Sequence, residues 1–157
     1  MKKDDYKLLI NECCNRLPYG VWVDLNGMRG KLNEIKTHHF FHDTNSVQDI
    51  KAYTDFFQDN EPIEICNFKL CLRPISDLTE KECDKIFEII KVDKSQNYVK
   101  INDVTGIKIL SPEGIYIEDL QKLYDFLNSR HIDYNGLIPK GIAIDSTDLG
   151  IYGNLEE

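Results

Sequence analysis

The chain has 157 residues, of which 41% are hydrophobic and 29% charged, and its formal net charge is −8. These values are typical of a folded protein with a hydrophobic core. The acidic excess and the lack of a basic run disfavour nucleic acid as a partner, because that binding depends on lysine and arginine. No apolar run reaches the ~18 residues of a membrane-spanning helix. The opening MKKDDYKLLINE lacks the apolar run of a signal peptide, so we expect a cytoplasmic protein.

The five cysteines are expected to be reduced thiols. Their number is odd, and no signal peptide directs the chain to an oxidising compartment. Cys66 and Cys71 are spaced C-x4-C, and no second pair follows at zinc-ribbon spacing. The pattern therefore favours buried free cysteines over a cysteine-ligated metal.

The first predicted elements are a helix and a hairpin. Residues 4–16 carry apolar side chains at helical spacing, and Pro18 ends the pattern. The following stretch alternates apolar and polar residues around Asn26-Gly27, a pair favoured in two-residue hairpin turns because both positions need positive φ. We expect the returning strand to continue to about Ile35.

The next segment predicts a short helix and then two short strands. In QDIKAYTDFF, helical spacing would place Ile50, Tyr53 and Phe57 on one face. PIEICNFKLCLRP has the short apolar runs of two strands, which Arg73-Pro74 would end. The strands between residues 18 and 74 therefore predict a small curled antiparallel sheet or an SH3-like barrel.

The second half predicts two amphipathic helices. SDLTEKECDKIFEIIK carries Thr79 and Glu82 at capping-box spacing. EDLQKLYDFLNSRHID places four apolar side chains on one face, those of Leu120, Leu123, Tyr124 and Leu127. Short strands are predicted at YVKI, on both sides of the turn SPEG, and in GLIPKGIAID.

These elements together predict an α+β protein. Residues 1–75 form an N-terminal helix with the small β unit, and residues 76–157 form an α+β C-terminal part with the two amphipathic helices. We expect the two parts to pack as one globular unit, and the sequence assigns no oligomeric state.

The stretch THHFFHD, residues 37–43, is the richest in ligand side chains. His38 and His42 share a face on a helix and on a strand, and Asp43 offers a carboxylate for zinc or another divalent ion. The H-E-x-x-H zinc motif requires a glutamate where His39 stands. Further ligands would come from elsewhere, such as His131, Cys66 or Cys71. The alternatives are a polar turn with Phe40 or Phe41 buried, and a pH-responsive cluster. Apart from this metal, no cofactor is expected, because the chain has no nucleotide-binding motif.

A second group of chemically active residues follows the last predicted helix. His131 and Asp133 have the side chains of an oriented general base, but no nucleophile can be placed beside them from sequence. In the alternative, His131 or Arg130 complements the helix C-terminus, Gly136 adopts a left-handed turn and Tyr134 packs. No catalytic residue is assigned. The candidate partner-binding residues are Trp22 (a core residue or an exposed anchor), Tyr53, Phe56, Phe57, His131, Asp133, Tyr134 and Asn135.

Three stretches carry a resemblance to a known group of proteins. NRLPYGVWV, LCLRPISDLTEKE and YDFLNSRHIDYNGLIPKGIAID, in this order, resemble short uncharacterised proteins of gut Bacteroides-type bacteria and their phages and prophages. The resemblance covers about a third of the chain and leaves out the segment between Gly27 and Glu64. Those relatives often have arginine where this chain has Asn135. The resemblance implies a phage or mobile-element accessory protein, and it implies no established activity.

The sequence thus supports three functional hypotheses. The first is a non-enzymatic protein-binding module that presents residues 36–60 to a host or phage protein. The second is a small metal-dependent enzyme that uses His38, His42 and Asp43. The third is a structural component of a virion.

Overall fold

The computed structural model describes residues 2–42, 45–55, 62–90, 98–102, 106–110 and 120–152. For residues 37–49, 98–102 and 106–110 it describes the course of the backbone. The chain divides into two compact units, Met1–Cys71 and Leu72–Glu157. None of the helices within these described ranges has the length and apolar character that crossing a bilayer requires.

The first unit begins with a helix whose inner face is partly charged. The helix ends at Arg16, is followed by a short 3-10 turn, and Gly20 then reverses the chain with a φ of 68°. Asp4 and Asp5 stand in its first turn, where negative charge is favourable. The elements of this unit are α1 (Lys3–Arg16), β1 (Trp22–Leu25), β2 (Met28–His42), β3 (Asn45–Thr54), β4 (Ile63–Glu64) and β5 (Lys69–Leu72). The last residue of β5, Leu72, is the first residue of the second unit.

The predicted hairpin at Asn26-Gly27 is confirmed. Leu25 pairs with Met28, and φ is 54° at Asn26 and 91° at Gly27, as a type I′ turn requires. Asp24 stabilises this turn, because its carboxylate accepts a hydrogen bond from the Gly27 N–H at 3.0 Å.

The helix predicted around Ile50, Tyr53 and Phe57 is wrong. Residues 45–54 form β3, which pairs antiparallel with β2 from Thr54 back to Asn45. Ala52 and Thr54 are buried at alternate positions, which is the spacing of a strand. Pairing of β3 with β2 therefore overrides the helical spacing of Ile50, Tyr53 and Phe57. β2 itself is longer than expected and reaches His42 instead of ending near Ile35.

The sheet of the first unit is open. Its strand order is β4-β3-β2-β1-β5, and every pair is antiparallel. The α+β class is confirmed, and of the two predicted arrangements the barrel is not formed, because the described strands β4 and β5 do not pair with each other. The buried apolar residues of this unit include Leu9, Cys13, Val21, Val23, Leu32, Ile65 and Leu70.

The second unit packs two helices around an apolar core. Thr79 and Glu82 form the predicted capping box: the Glu82 carboxylate accepts from the Thr79 N–H at 2.9 Å, and the Thr79 hydroxyl oxygen accepts from the Glu82 N–H at 3.2 Å. The core cluster consists of Ile75, Ile86, Phe87, Ile90, Leu123, Leu127 and Ile132. The elements are α2 (Glu80–Ile90), β6 (Tyr98–Asn102), β7 (Gly106–Leu110), α3 (Leu120–Ser129) and β8 (Ala143–Asp145).

The apolar face expected on α3 is narrower than predicted. Leu123 and Leu127 are buried, but Leu120 and Tyr124 are 45% and 39% exposed. The strand at YVKI is confirmed as β6, which pairs antiparallel with β7. Of the two strands predicted around SPEG, the second lies outside the described residues.

Candidate functional site

The stretch RLPYGV builds the turn after α1. Arg16 and Glu12 are both buried, and the Glu12 carboxylate accepts hydrogen bonds from Arg16 Nε at 3.0 Å and from Nη2 at 2.9 Å. Gly20 supplies the left-handed residue and Val21 is fully buried. Arg16, Gly20 and Val21 of this stretch therefore stabilise the fold.

The stretch LRPISDLTEKE is organised around Arg73. Its guanidinium donates to both carboxylate oxygens of Glu82, at 2.8 and 3.1 Å. The same group donates to the Asp77 carbonyl at 2.9 Å and reaches the Arg130 carbonyl at 3.4 Å. Arg73 thus joins the start of α2 to the end of α3 within the second unit.

The pKa of Glu82 is set by two opposing effects. Burial by itself raises the pKa of this carboxyl, but the hydrogen bonds from Arg73 and Thr79 and the charge of Arg73 lower it. The balance leaves the pKa of Glu82 below its ordinary value of 4.5. The carboxylate is therefore held ionised as a structural acceptor, which does not suit a general acid near neutral pH.

The histidine of RHIDYNGLIPKG terminates α3. His131 has a φ of 56°, and its N–H donates to the Asn128 carbonyl at 3.0 Å. The next N–H, of Ile132, donates to the Leu127 carbonyl at 3.0 Å, so the helix ends in a Schellman motif with histidine where glycine is usual. The His131 ring stacks on Tyr152, with ring centroids 4.0 Å apart.

The carboxylate of Asp133 holds the next turn. Asp133 is buried, and its two oxygens accept from the Leu137 N–H at 2.7 Å and the Ile138 N–H at 2.8 Å. Gly136 takes the expected left-handed conformation, with a φ of 66°. Asp133 thus orients backbone amides, and the His131 ring lies on Tyr152.

Two of the cysteines are unsuited to nucleophilic chemistry. Burial is the main cause that raises the pKa of Cys71 to about 12, and burial raises that of Cys13 further. The thiolate is the reactive form, so both thiols stay unreactive at neutral pH. Cys14 and Cys66 are exposed.

This difference predicts the pattern of cysteine modification. With a small alkylating reagent near neutral pH, Cys14 and Cys66 should react in the folded protein, and Cys13 and Cys71 should react only in denaturant. Peptide mass spectrometry after a timed reaction identifies each modified residue. Rapid modification of Cys71 without unfolding would contradict the buried environment.

The first six residues of THHFFHD lie on a strand. Residues Thr37–His42 are the last part of β2, which makes the polar-turn interpretation wrong, and Asp43 lies outside the described residues. His38 and His42 are separated by about 13 Å along an extended strand. Within the described ranges, no group of three or more His, Cys, Asp or Glu side chains is arranged to hold a metal. The metal hypothesis therefore has no support from the described side chains.

The candidate partner-binding residues belong to both units. Trp22 on β1 and Tyr53 on β3 are half-buried, and Lys36 Nζ lies 4.8 Å from the centroid of the Tyr53 ring. Phe56 and Phe57 lie outside the described residues. In the second unit, Tyr134 donates from its hydroxyl to the Asn128 side-chain oxygen at 3.0 Å and packs its ring near Tyr124, and Asn135 is exposed.

The outer part of the β2–β3 hairpin is the remaining candidate site. Six consecutive cross-strand pairs, from Thr37–Ile50 to His42–Asn45, extend past the residues that pair with β1 and β4. Among the described strands, these residues pair only with each other. We name this two-stranded segment, residues 37–42 and 45–50, the outer hairpin. A two-stranded ribbon leaves backbone donors and acceptors along both of its edges.

Sequence reasoning identified half of this segment and missed the other half. The ligand side chains of THHFFHD mark residues 37–42 in the sequence. Residues 45–50 belong to a polar stretch for which the sequence predicts a short helix. Two residues, Asp43-Thr44, separate the strands, and they are not a favoured turn pair of the Asn-Gly kind. Comparisons of this chain with protein-family models, with curated proteins and with solved structures found no match.

Proposed function

We propose that this protein is a non-enzymatic protein-binding module that presents the outer hairpin to a partner protein. The observation that carries the proposal is the extension of β2 and β3 beyond their other neighbours in the sheet. A ribbon of this kind offers main-chain hydrogen-bonding groups, which are a common means of recognising another protein.

The roles of the motif residues support this assignment. Arg16, Arg73, Glu82 and Asp133 are engaged in hydrogen bonds that hold turns and helix ends. These residues of the stretches that carry the resemblance are therefore scaffold, and the outer hairpin lies in the part of the chain that the resemblance leaves out. A constant scaffold with a separate binding segment is the usual organisation of a recognition module.

The resemblance to proteins of Bacteroides-type bacteria and their phages supplies the proposed setting. In this setting the protein is a phage or prophage accessory protein that acts in the cytoplasm of the bacterium. Its partner is a host or phage protein, and the net charge of −8 argues against nucleic acid.

A hairpin-shortened variant tests the proposal. Residues 38–49 are replaced by Asn-Gly, which joins the paired positions Thr37 and Ile50 by a favoured two-residue turn. Tagged wild-type and shortened proteins are incubated with lysate of a Bacteroides-type bacterium, before and after phage infection, and the captured proteins are quantified by mass spectrometry. The wild type should enrich a stoichiometric partner that the shortened variant does not retain.

The control separates loss of binding from loss of folding. The shortened variant should keep Cys13 and Cys71 unreactive, since both are buried outside the outer hairpin. The matched surface control is Glu88→Ala, which changes an exposed residue of α2 and should leave capture intact. Equal capture by the wild-type and shortened proteins would overturn the proposed function.

A further inference from the structure

We propose that the partner binds by adding an extended strand to the edge of β3 between Asn45 and Ile50. This inference rests on the proposed function and specifies how the outer hairpin recognises its partner. The occupant is a linear, positively charged segment of another protein, about six residues long where it pairs, since one strand residue faces one residue of its neighbour.

The course of the chain after β4 leaves this edge open. β4 pairs with β3 at two positions, Glu64 with Lys51 and Ile63 with Ala52. If β4 continued as a strand, Ile65 and Cys66 would lie opposite Ile50 and Asp49. Instead, Ile65–Asn67 turn into a 3-10 helix, with Ile65 fully buried. Among the described residues, the edge of β3 from Asn45 to Ile50 therefore has no strand beside it.

The edge of β3 lacks the features that proteins use to block strand addition. Such edges are commonly protected by lysine, proline, a bulge or a very short strand. On the opposite edge, the irregularity between Leu32 and Glu34 and the exposed Lys36 lie on β2 before the outer hairpin begins. Asn45–Ile50 reads NSVQDI, without lysine or proline, and its pairing with β2 is regular. The edge of β3 between Asn45 and Ile50 is thus suited to template an added strand.

The charge of this segment specifies the chemistry of the added strand. Asp49 is the charged residue of NSVQDI, and the whole chain has a net charge of −8. Opposite charges on neighbouring strands stabilise pairing, and like charges weaken it. A strand with lysine or arginine is therefore favoured over an acidic one.

The first experiment detects main-chain pairing directly. The full chain is immobilised, and a library of linear peptides, each long enough to span Asn45–Ile50, is selected for binding to it. The selected peptide is then added to the full chain in solution, and amide hydrogen exchange is followed residue by residue by NMR. Every second N–H group of β3 already faces β2. The added strand should therefore protect the remaining N–H groups from exchange, which lie on alternating residues between Asn45 and Ile50.

A charge substitution tests the specificity. Asp49→Lys should weaken binding of the selected peptide about tenfold, which corresponds to about 1.4 kcal/mol. Glu88→Lys makes the same charge change on the exposed surface of α2, outside the outer hairpin, and should leave the affinity within about twofold.

The outcomes separate this inference from the proposed function. Peptide binding without new protection in Asn45–Ile50 would overturn strand addition, even if lysate capture still depends on the outer hairpin. Strand addition would also be overturned if every selected peptide bound the hairpin-shortened variant as well as it bound the wild type, or if the library yielded no binding peptide. The proposed function itself fails only on the capture experiment, if the shortened variant retains the same partner.

Discussion

Replacing Glu12 by alanine is expected to lower the free energy of unfolding by about 3–5 kcal/mol, the usual cost of removing one partner of a buried ion pair. Arg16 is fully buried and Glu12 is 2% exposed, so water cannot replace the lost carboxylate. The guanidinium would keep its charge, because arginine does not lose its proton in proteins. The penalty therefore comes mainly from a buried charge without its counter-ion.

Urea denaturation of Glu12→Ala and of the wild type measures this effect. Glu88→Ala is the matched control, because Glu88 makes the corresponding ion pair with Lys85 on the exposed surface of a helix. Its change should stay within about 0.5 kcal/mol. A double variant, Glu12→Leu with Arg16→Met, should be more stable than Glu12→Ala, since it removes both buried charges of this pair. A cost below about 1 kcal/mol for Glu12→Ala would show that Arg16 is not desolvated in solution.

Replacing Arg73 by alanine is the second large effect, with an expected loss of about 3 kcal/mol. The substitution removes both hydrogen bonds to Glu82 and those to the Asp77 and Arg130 carbonyls. Arg73→Lys should restore only part of the loss, because an ammonium group cannot reproduce the planar two-pronged geometry of the guanidinium. Full stability of Arg73→Lys would show that charge, and not geometry, is what matters at this position.

The Arg73–Glu82 pair also predicts a pH dependence with a definite sign. Since the pKa of Glu82 is lower in the folded state than its ordinary 4.5, its stabilisation is complete above that value. The stabilisation is lost as the pH falls below 4.5 and through the lower folded-state pKa. The free energy of unfolding, measured by urea denaturation from about pH 7 to about pH 3, should therefore fall less steeply in Glu82→Gln than in the wild type. Parallel slopes for the two proteins would contradict the lowered pKa.

The local elements were predictable because their signals lie within a few residues of each other. The turn at Asn26-Gly27 needs positive φ at two adjacent positions, and the capping box needs Thr79 and Glu82 three residues apart. The same holds for the end of α1 before Pro18. In each case the local sequence favours the same conformation as the surrounding fold.

Other features depended on residues that are distant in the sequence. The helical spacing of Ile50, Tyr53 and Phe57 predicts a helix where β3 is found, and only pairing with β2 decides the conformation of β3. Arg73 follows the end of β5, as the sequence predicts. The sequence does not show that its side chain donates hydrogen bonds to Glu82 of α2 and to the carbonyl of Arg130. His131 and Asp133 are two residues apart in the sequence, but only the structure places the His131 ring on Tyr152 and the Asp133 carboxylate on the Leu137 N–H.

The sequence by itself determined the α+β class, the two amphipathic helices, the first hairpin and the absence of a recognisable catalytic motif. The tertiary structure decided how far β2 and β3 extend and which edge of the sheet has no described strand beside it. The physical reason is that a strand satisfies its backbone hydrogen bonds with a neighbour that can be far away in the chain. Residues within one short stretch cannot specify that neighbour, and they cannot specify that an edge remains without one.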